Sequence, residues 1–244
     1  MEDIWFEEEL LPAQHVLEET SKSLAKELNI GKGQIYSEVK ENAQGKVFIQ
    51  KPRYEKLVGE NKPRLSKSDS DVYLIRLGFE FAVEHRAYEN GARFSYACCK
   101  AFLRSNLAGQ PQPRVFDVLP ANLYEGEPRK VTIKIGPELT IGDYGGSLGE
   151  LSTDVVIGRV IPAVVGWTGQ EERSPYWELR PITKELYGIQ HLWIVLELPS
   201  GCEAVRLTPL VEADIRTKWG PITVGPNETV LEKRKSSIIP SPQV

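Results

Sequence analysis

Between residues 73 and 83, an apolar side chain stands at every second position. Tyr73, Ile75, Leu77, Phe79, Phe81 and Val83 fall on one side, and Arg76, Gly78, Glu80, Ala82 and Glu84 on the other. Period two held this long predicts a β-strand with one buried face. Asn90-Gly91 follows, a dipeptide favoured where a hairpin turn needs positive φ. Phe94, Tyr96 and Cys98 then alternate with Ser95, Ala97 and Cys99. The pattern predicts one long hairpin over 71–104.

The same period recurs downstream. Trp177 and Leu179 lead into Pro181, which cannot donate to a strand ladder. After Gly188, Leu192, Ile194, Leu196 and Leu198 form one face of a second strand. The stretch 177–198 therefore predicts the centre of the core: two strands joined over a corner, with Trp177 facing inward. Shorter strands are expected at 115–120 (VFDVLP), 130–135 (KVTIKI), 155–166 (broken by Pro162), 204–207 and 211–216. Val47, Phe48 and Ile49 suggest one more. Helical period appears near the N-terminus: Leu17, Leu24 and Leu28 form a narrow stripe after Pro12, ended by Asn29 and Gly31.

These elements predict a mainly β chain: an antiparallel β-sandwich with an N-terminal amphipathic helix and the 71–104 hairpin. Four segments are expected: an acidic arm and helix at 1–30; a basic, flexible connector at 31–70; a sandwich body at 71–231, either one unit or two packed halves (71–112 and 113–231); and a disordered tail at 232–244. Residues 113–217 resemble an immunoglobulin-like β-sandwich in the succession VFDVLP, KVTIKI, YWELRP and LWIVLEL, without the paired cysteines flanking a tryptophan that mark antibody-type domains. The resemblance implies a binding or spacer role by analogy of fold.

Charge adds what the totals conceal. The chain of 244 residues carries a net charge of −4, which argues against general nucleic-acid binding. Residues 1–30, however, hold two Lys against eight Asp and Glu, and residues 31–67 hold nine Lys and Arg against four Glu. An acidic head beside a basic stretch suggests pairing with a partner or with each other. The candidate partner-binding residues are Trp5, Phe6, Glu7, Glu8 and Glu9 in the arm, and Lys51, Arg53 and Lys56 in the connector.

Candidate chemistry changes the picture little. His15, His85 and His191 lack ligand-spaced partners, so no metal or cofactor is expected. The glycine-dense 142–150 segment has neither Walker nor dinucleotide spacing, and no GxSxG or HExxH occurs. Within the expected hairpin, His85 would pair near residue 96, diagonal to Cys98, which makes a Cys98/His85 or Cys99/His85 dyad the one nucleophilic arrangement to test. Three cysteines form no even disulfide framework, the acidic, apolar N-terminus lacks the pattern of a secretory signal, and no apolar run reaches membrane-spanning length. We therefore expect a cytoplasmic, non-catalytic interaction or regulatory protein with a protein partner, its arm released by proteolysis in the 50–70 loop. The alternatives are a carboxylate-dependent hydrolase with a cleft in the sandwich, and a protein whose 71–104 hairpin enters membranes.

Overall fold

The computed structural model describes residues 4–59, 69–123, 130–134, 140–143, 152–156, 163–169, 172–181, 185–186, 188–226 and 234–240. In chain order its elements are β1 (Ile4–Leu11), α1 (Gln14–Leu28), α2 (Lys32–Asn42), β2 (Gly45–Gln50), β3 (Arg53–Leu57), β4 (Asp71–Val83), α3 (His85–Glu89), β5 (Arg93–Ser105), β6 (Arg114–Leu119), β7 (Asn122–Leu123), β8 (Lys130–Lys134), β9 (Thr140–Asp143), β10 (Ser152–Val156), β11 (Ala163–Trp167), β12 (Tyr176–Arg180), β13 (Ile189–Leu198), β14 (Val205–Thr217), β15 (Gly220–Pro226) and β16 (Ser237–Ile239).

Thirteen strands form one antiparallel sheet in the order β6-β13-β4-β2-β1-β15-β14-β5-β12-β11-β7, with β3 beside β4 and β16 beside β14. The two ends of this path meet, because only Pro120 and Ala121 separate β6 from β7. There the Gly166 N–H of β11 donates to the Ala121 carbonyl at 2.8 Å. The sheet is thus nearly closed and barrel-like, which leaves little open edge. This replaces the expected immunoglobulin-like sandwich. Three strands of the 113–217 stretch each take a neighbour from outside it: β13 pairs β4, β12 pairs β5, and β14 lies between β5 and β15. Adjacent apolar strands in sequence cannot specify such long-range pairing.

The 71–104 hairpin is also corrected. Both strands exist, each thirteen residues long, but they lie in different parts of the sheet. α3 intervenes, and Gly91, at φ +88, ends that helix instead of turning a hairpin. β4 is flanked by β13 on one side and by β2 and β3 on the other, while β5 lies between β14 and β12. Moving this pair into a membrane would dismantle the centre of the fold. No described helix is long and apolar enough to cross a membrane.

One core cluster fills the interior. Ile75, Leu77 and Phe79 of β4 meet Leu192, Ile194 and Leu196 of β13, together with Trp177 and Leu179 of β12. Trp177 and the 192–198 face therefore share one core, although β12 and β13 do not pair. Trp177 is fully buried opposite Gly166, where a Cβ would stand 2.7 Å from the Pro120 carbonyl oxygen and 2.7 Å from Trp177 Cδ1. The wall closes over the indole only because Gly166 has no side chain.

α1 begins after Pro12 and ends at Asn29, which takes a left-handed conformation at φ 54 and donates to the Ala25 carbonyl. Only Leu17 and Ser21 of α1 are buried, Leu24 is partly covered and Leu28 is 45% exposed. The stripe is narrower than its leucines suggest. The expected connector holds α2, whose Ile35 and Val39 enter the core, and the strands β2 and β3. Residues 60–68, including Lys62, Arg64 and Lys67, lie outside the described residues. A separate sheet, β10-β8-β9, places Val131 opposite Val155 and Ile133 opposite Ile141.

β1 and β15 pair at only two positions, Leu10–Pro226 and Leu11–Gly225. Beyond that point the C-terminal segment reaches β1. Arg234 Nη2 lies 3.5 Å from Glu8 Oε1, both side chains 8% exposed. Arg234 Nη1 donates to the Pro209 carbonyl at 3.2 Å, and Lys235 Nζ stands 5.6 Å from the Phe6 ring centre. β16 then pairs β14 at Val205–Leu207 and buries Ile239. Residues 237–239 of the expected tail are therefore a strand.

Candidate functional site

A single extra residue shapes the outer face of the sheet. Ile215 of β14 pairs with Phe94 of β5, but Asp214 pairs with Tyr96, so Ser95 is a bulge. Its Oγ donates to the Asp214 carbonyl at 3.3 Å. Before the bulge Phe94 faces the core. After it Ala97, Cys99, Ala101 and Leu103 do so, and Tyr96, Cys98 and Lys100 turn outward.

Registers then assemble three rows across β12, β5, β14 and β15. Tyr176, Lys100 and Leu210 form the first, Glu178, Cys98 and Glu212 the second, and Tyr96, Asp214 and Thr223 the third. Short Cys98 sits among long neighbours and forms the floor of a depression of about 520 Å³. Lys100 Nζ donates to Glu212 Oε2 at 2.8 Å, Thr223 Oγ1 donates to Asp214 Oδ1 at 2.7 Å, and Arg180 Nη2 lies 3.3 Å from Glu178 Oε2. Burial, reinforced by Cys98, raises the Tyr96 pKa. Burial likewise pushes the Cys98 thiol up, against the opposing pull of Lys100. Burial pulls Lys100 down, but its bond to Glu212 and that carboxylate's charge more than offset this, so its pKa is raised. Such a thiol is a poor nucleophile at neutral pH.

The depression adjoins a groove of about 950 Å³ between the outer face of β14–β15 and the β1–α1 corner. Leu11, Pro12, Val16, Leu210, Val224 and Pro226 make it apolar, and Gln14, His15 and Glu18 form its helical rim. Glu212 and Thr223 line both spaces, so the two adjoin across these side chains.

The residues expected to bind a partner are dispersed. Trp5 and Phe6 contact one another edge-on at 4.8 Å and pack partly against the core. Glu7 is bound to Lys46 at 2.8 Å, Glu8 is buried against Arg234, and Glu9 is exposed. All five belong to β1. Lys51, Arg53 and Lys56 are exposed at and before β3, and Lys56 pairs with Asp71 at 2.8 Å. The cysteine–histidine dyad does not form: β4 and β5 are not paired, and His85, 88% exposed, lies 3.3 Å from Glu89. Among the described residues, no group of three or more His, Cys, Asp or Glu side chains is arranged to hold a metal ion.

No family model matches this chain, and no curated protein matches it. Among solved structures, a Clostridium perfringens NetB toxin in its membrane-inserted form is similar over 80% of this chain and 89% of that one, at 6% identity and a TM-score of 0.33. A score so low carries no argument about fold or activity.

Proposed function

We propose that this chain is a non-catalytic interaction protein whose partner is a polypeptide seated along the outer face of β14 and β15. The observation that carries this reading is the adjacency of the groove and the polar depression, which share Glu212 and Thr223 as lining residues. An apolar concavity with a few placed polar groups is the usual form of a recognition surface. Carboxylates do converge there, which motivates the hydrolase reading. Glu212, Asp214 and Glu178 each already engage a neighbour, so we favour binding over proton transfer. A reducing, cytoplasmic setting belongs to the proposal, and three free, buried thiols suit it.

Removal of residues 1–28 does not test this reading cleanly, because β1 carries the fully buried Leu10 and pairs with β2 and β15. A photo-crosslinking amino acid at half-buried Val16 is compared with the same group at exposed Leu107, with circular dichroism confirming that both proteins are folded. Crosslinking inside the source cell is expected to give a discrete polypeptide adduct from position 16 and none from 107. No adduct at 16, or the same adducts at both positions, would refute it.

A further inference from the structure

We infer that the partner contributes an extended segment in which a Lys or Arg adjoins apolar residues, the cation entering the Cys98 depression and the apolar side chains filling the groove beside α1. This inference rests on the docking reading above and adds the chemistry of the occupant.

Charge complementarity argues for a cation. Glu178, Glu212 and Asp214 line the depression and Glu18 the adjoining groove, against the single lysine Lys100. Arg180 adjoins the rim through Glu178. The phenol rings of Tyr96 and Tyr176 supply faces that attract a cationic head. The site already shows this behaviour toward its own residues: the Arg180 guanidinium carbon lies 5.7 Å from the Tyr96 ring centre, and Lys100 is held by Glu212. An incoming guanidinium can take Glu212 bidentately, while the flexible stem of Lys100 lets its ammonium swing to solvent.

Geometry argues for an extended occupant. The path from Glu178 to Thr223 crosses three strand spacings, roughly 14 Å, and the groove continues it past Val224 toward α1. That path suits about five extended residues at roughly 3.3 Å each. An acidic segment would meet like charge along it, and a purely apolar one would cover the Lys100–Glu212 and Arg180–Glu178 pairs without adding a polar contact.

The test is selection of a random dodecapeptide phage library on the immobilised full chain at low salt. Fluorescence polarisation of the best labelled peptide follows. Enriched peptides are expected to carry Lys or Arg beside apolar residues. Replacing that basic residue by norleucine, or combining Glu212→Gln with Asp214→Asn, is expected to weaken binding about tenfold or more. Val16→Asp should abolish it, Glu55→Gln on distant β3 should leave it unchanged, and raised salt should weaken it. Circular dichroism confirms that each variant is folded, and Glu178→Gln serves as a second charge variant if the double one is not. Enriched peptides without basic residues that still need Val16 would overturn the cationic occupant and leave the docking reading standing. Binding indifferent to Val16→Asp overturns the groove as the site. Self-association of the full chain that Val16→Asp abolishes would make a second copy the occupant and also overturn the inference. Absence of any enriched peptide counts against the docking reading itself.

Discussion

Replacing Trp177 by alanine and by phenylalanine separates two contributions of one buried side chain. The indole is fully buried, with Cys99 of β5 on one side in register and Gly166 of β11 on the other. Both neighbours are small and sit on paired strands, so a cavity left by Trp177→Ala has little to collapse into it. Large-to-small changes of this kind cost about 3–5 kcal/mol. The indole N–H, however, has no acceptor among the described residues, and an unmet buried donor carries a penalty of about 1–3 kcal/mol. Trp177→Phe keeps most of the ring volume and removes that donor, so its net cost should be under about 1.5 kcal/mol. Equilibrium urea unfolding followed by far-ultraviolet circular dichroism reads both, because it does not rely on the fluorescence of the replaced residue. With a slope of about 2–3 kcal/mol per M, the alanine midpoint should fall by about 1–2.5 M and the phenylalanine midpoint by under roughly 0.75 M. An unchanged alanine midpoint would refute Trp177 as the packing centre of the closure. Equal losses for the two variants would refute the argument from the orphaned N–H.

Three further tests probe the closure, the C-terminal contact and the thiols. Gly166→Ala should destabilise by about 1–3 kcal/mol in the same assay, since its Cβ would press on the Pro120 carbonyl and Trp177; a neutral result would show that the wall yields there. Burial holds the Glu8 carboxyl above its usual range, with Arg234 opposing, so this group's stabilising contribution is largest below the unfolded pKa and is lost as pH rises through the folded one. Arg234→Met removes the opposing charge and should cost about 3–5 kcal/mol at neutral pH. The deficit should shrink as acid protonates Glu8, and a pH-independent deficit in a series of urea melts would contradict this. Cys98, Cys99 and Cys202 are buried with thiol pKa values raised by burial, so a chromogenic disulfide reagent should react with them slowly in the native protein and fully in denaturant. Rapid native reaction of one thiol, located by peptide mapping, would show that the outer face opens.

Strand identity was legible wherever one face meets the core over many residues. Every second residue from Tyr73 to Phe81 and from Leu192 to Leu198 enters one apolar cluster, while Val72 and Val195 on the opposite face join a second, smaller one. The end of α1 was legible too, because Asn29 is a local conformational requirement. Pairing was not legible. Nine residues between β4 and β5 read equally as a hairpin loop or as a helical turn that carries the chain elsewhere, and Asn90-Gly91 serves both. α2 was hidden for a different reason. It buries only Ile35, Val39 and Asn42, too few positions for the 3.6-residue period to rise above a polar background.

The candidate site shows why function was harder to read than fold. Its floor depends on one bulge residue. Counted without Ser95 as an insertion, Phe94, Tyr96 and Cys98 share a face and all appear structural; with it, Tyr96 and Cys98 turn outward and become the floor and wall of a cavity. The signal was present in the return strand, where the small and apolar positions Ala97, Cys99, Ala101 and Leu103 run out of step with Phe94. A break in parity within an otherwise regular strand is the mark of a bulge, and bulges re-aim side chains where surfaces are built. The remaining walls come from strands far along the chain, through contacts such as Lys100 with Glu212, which no local pattern can place. The acidic run Glu7–Glu9 misled for the complementary reason. As a block of like charge it reads as an arm for a partner, but a strand sends alternate residues to opposite faces. That geometry puts Glu8 inside against Arg234 and leaves Glu7 outside on Lys46. The carboxylates of the depression are instead brought together by register, Glu178 from β12 and Glu212 and Asp214 from β14.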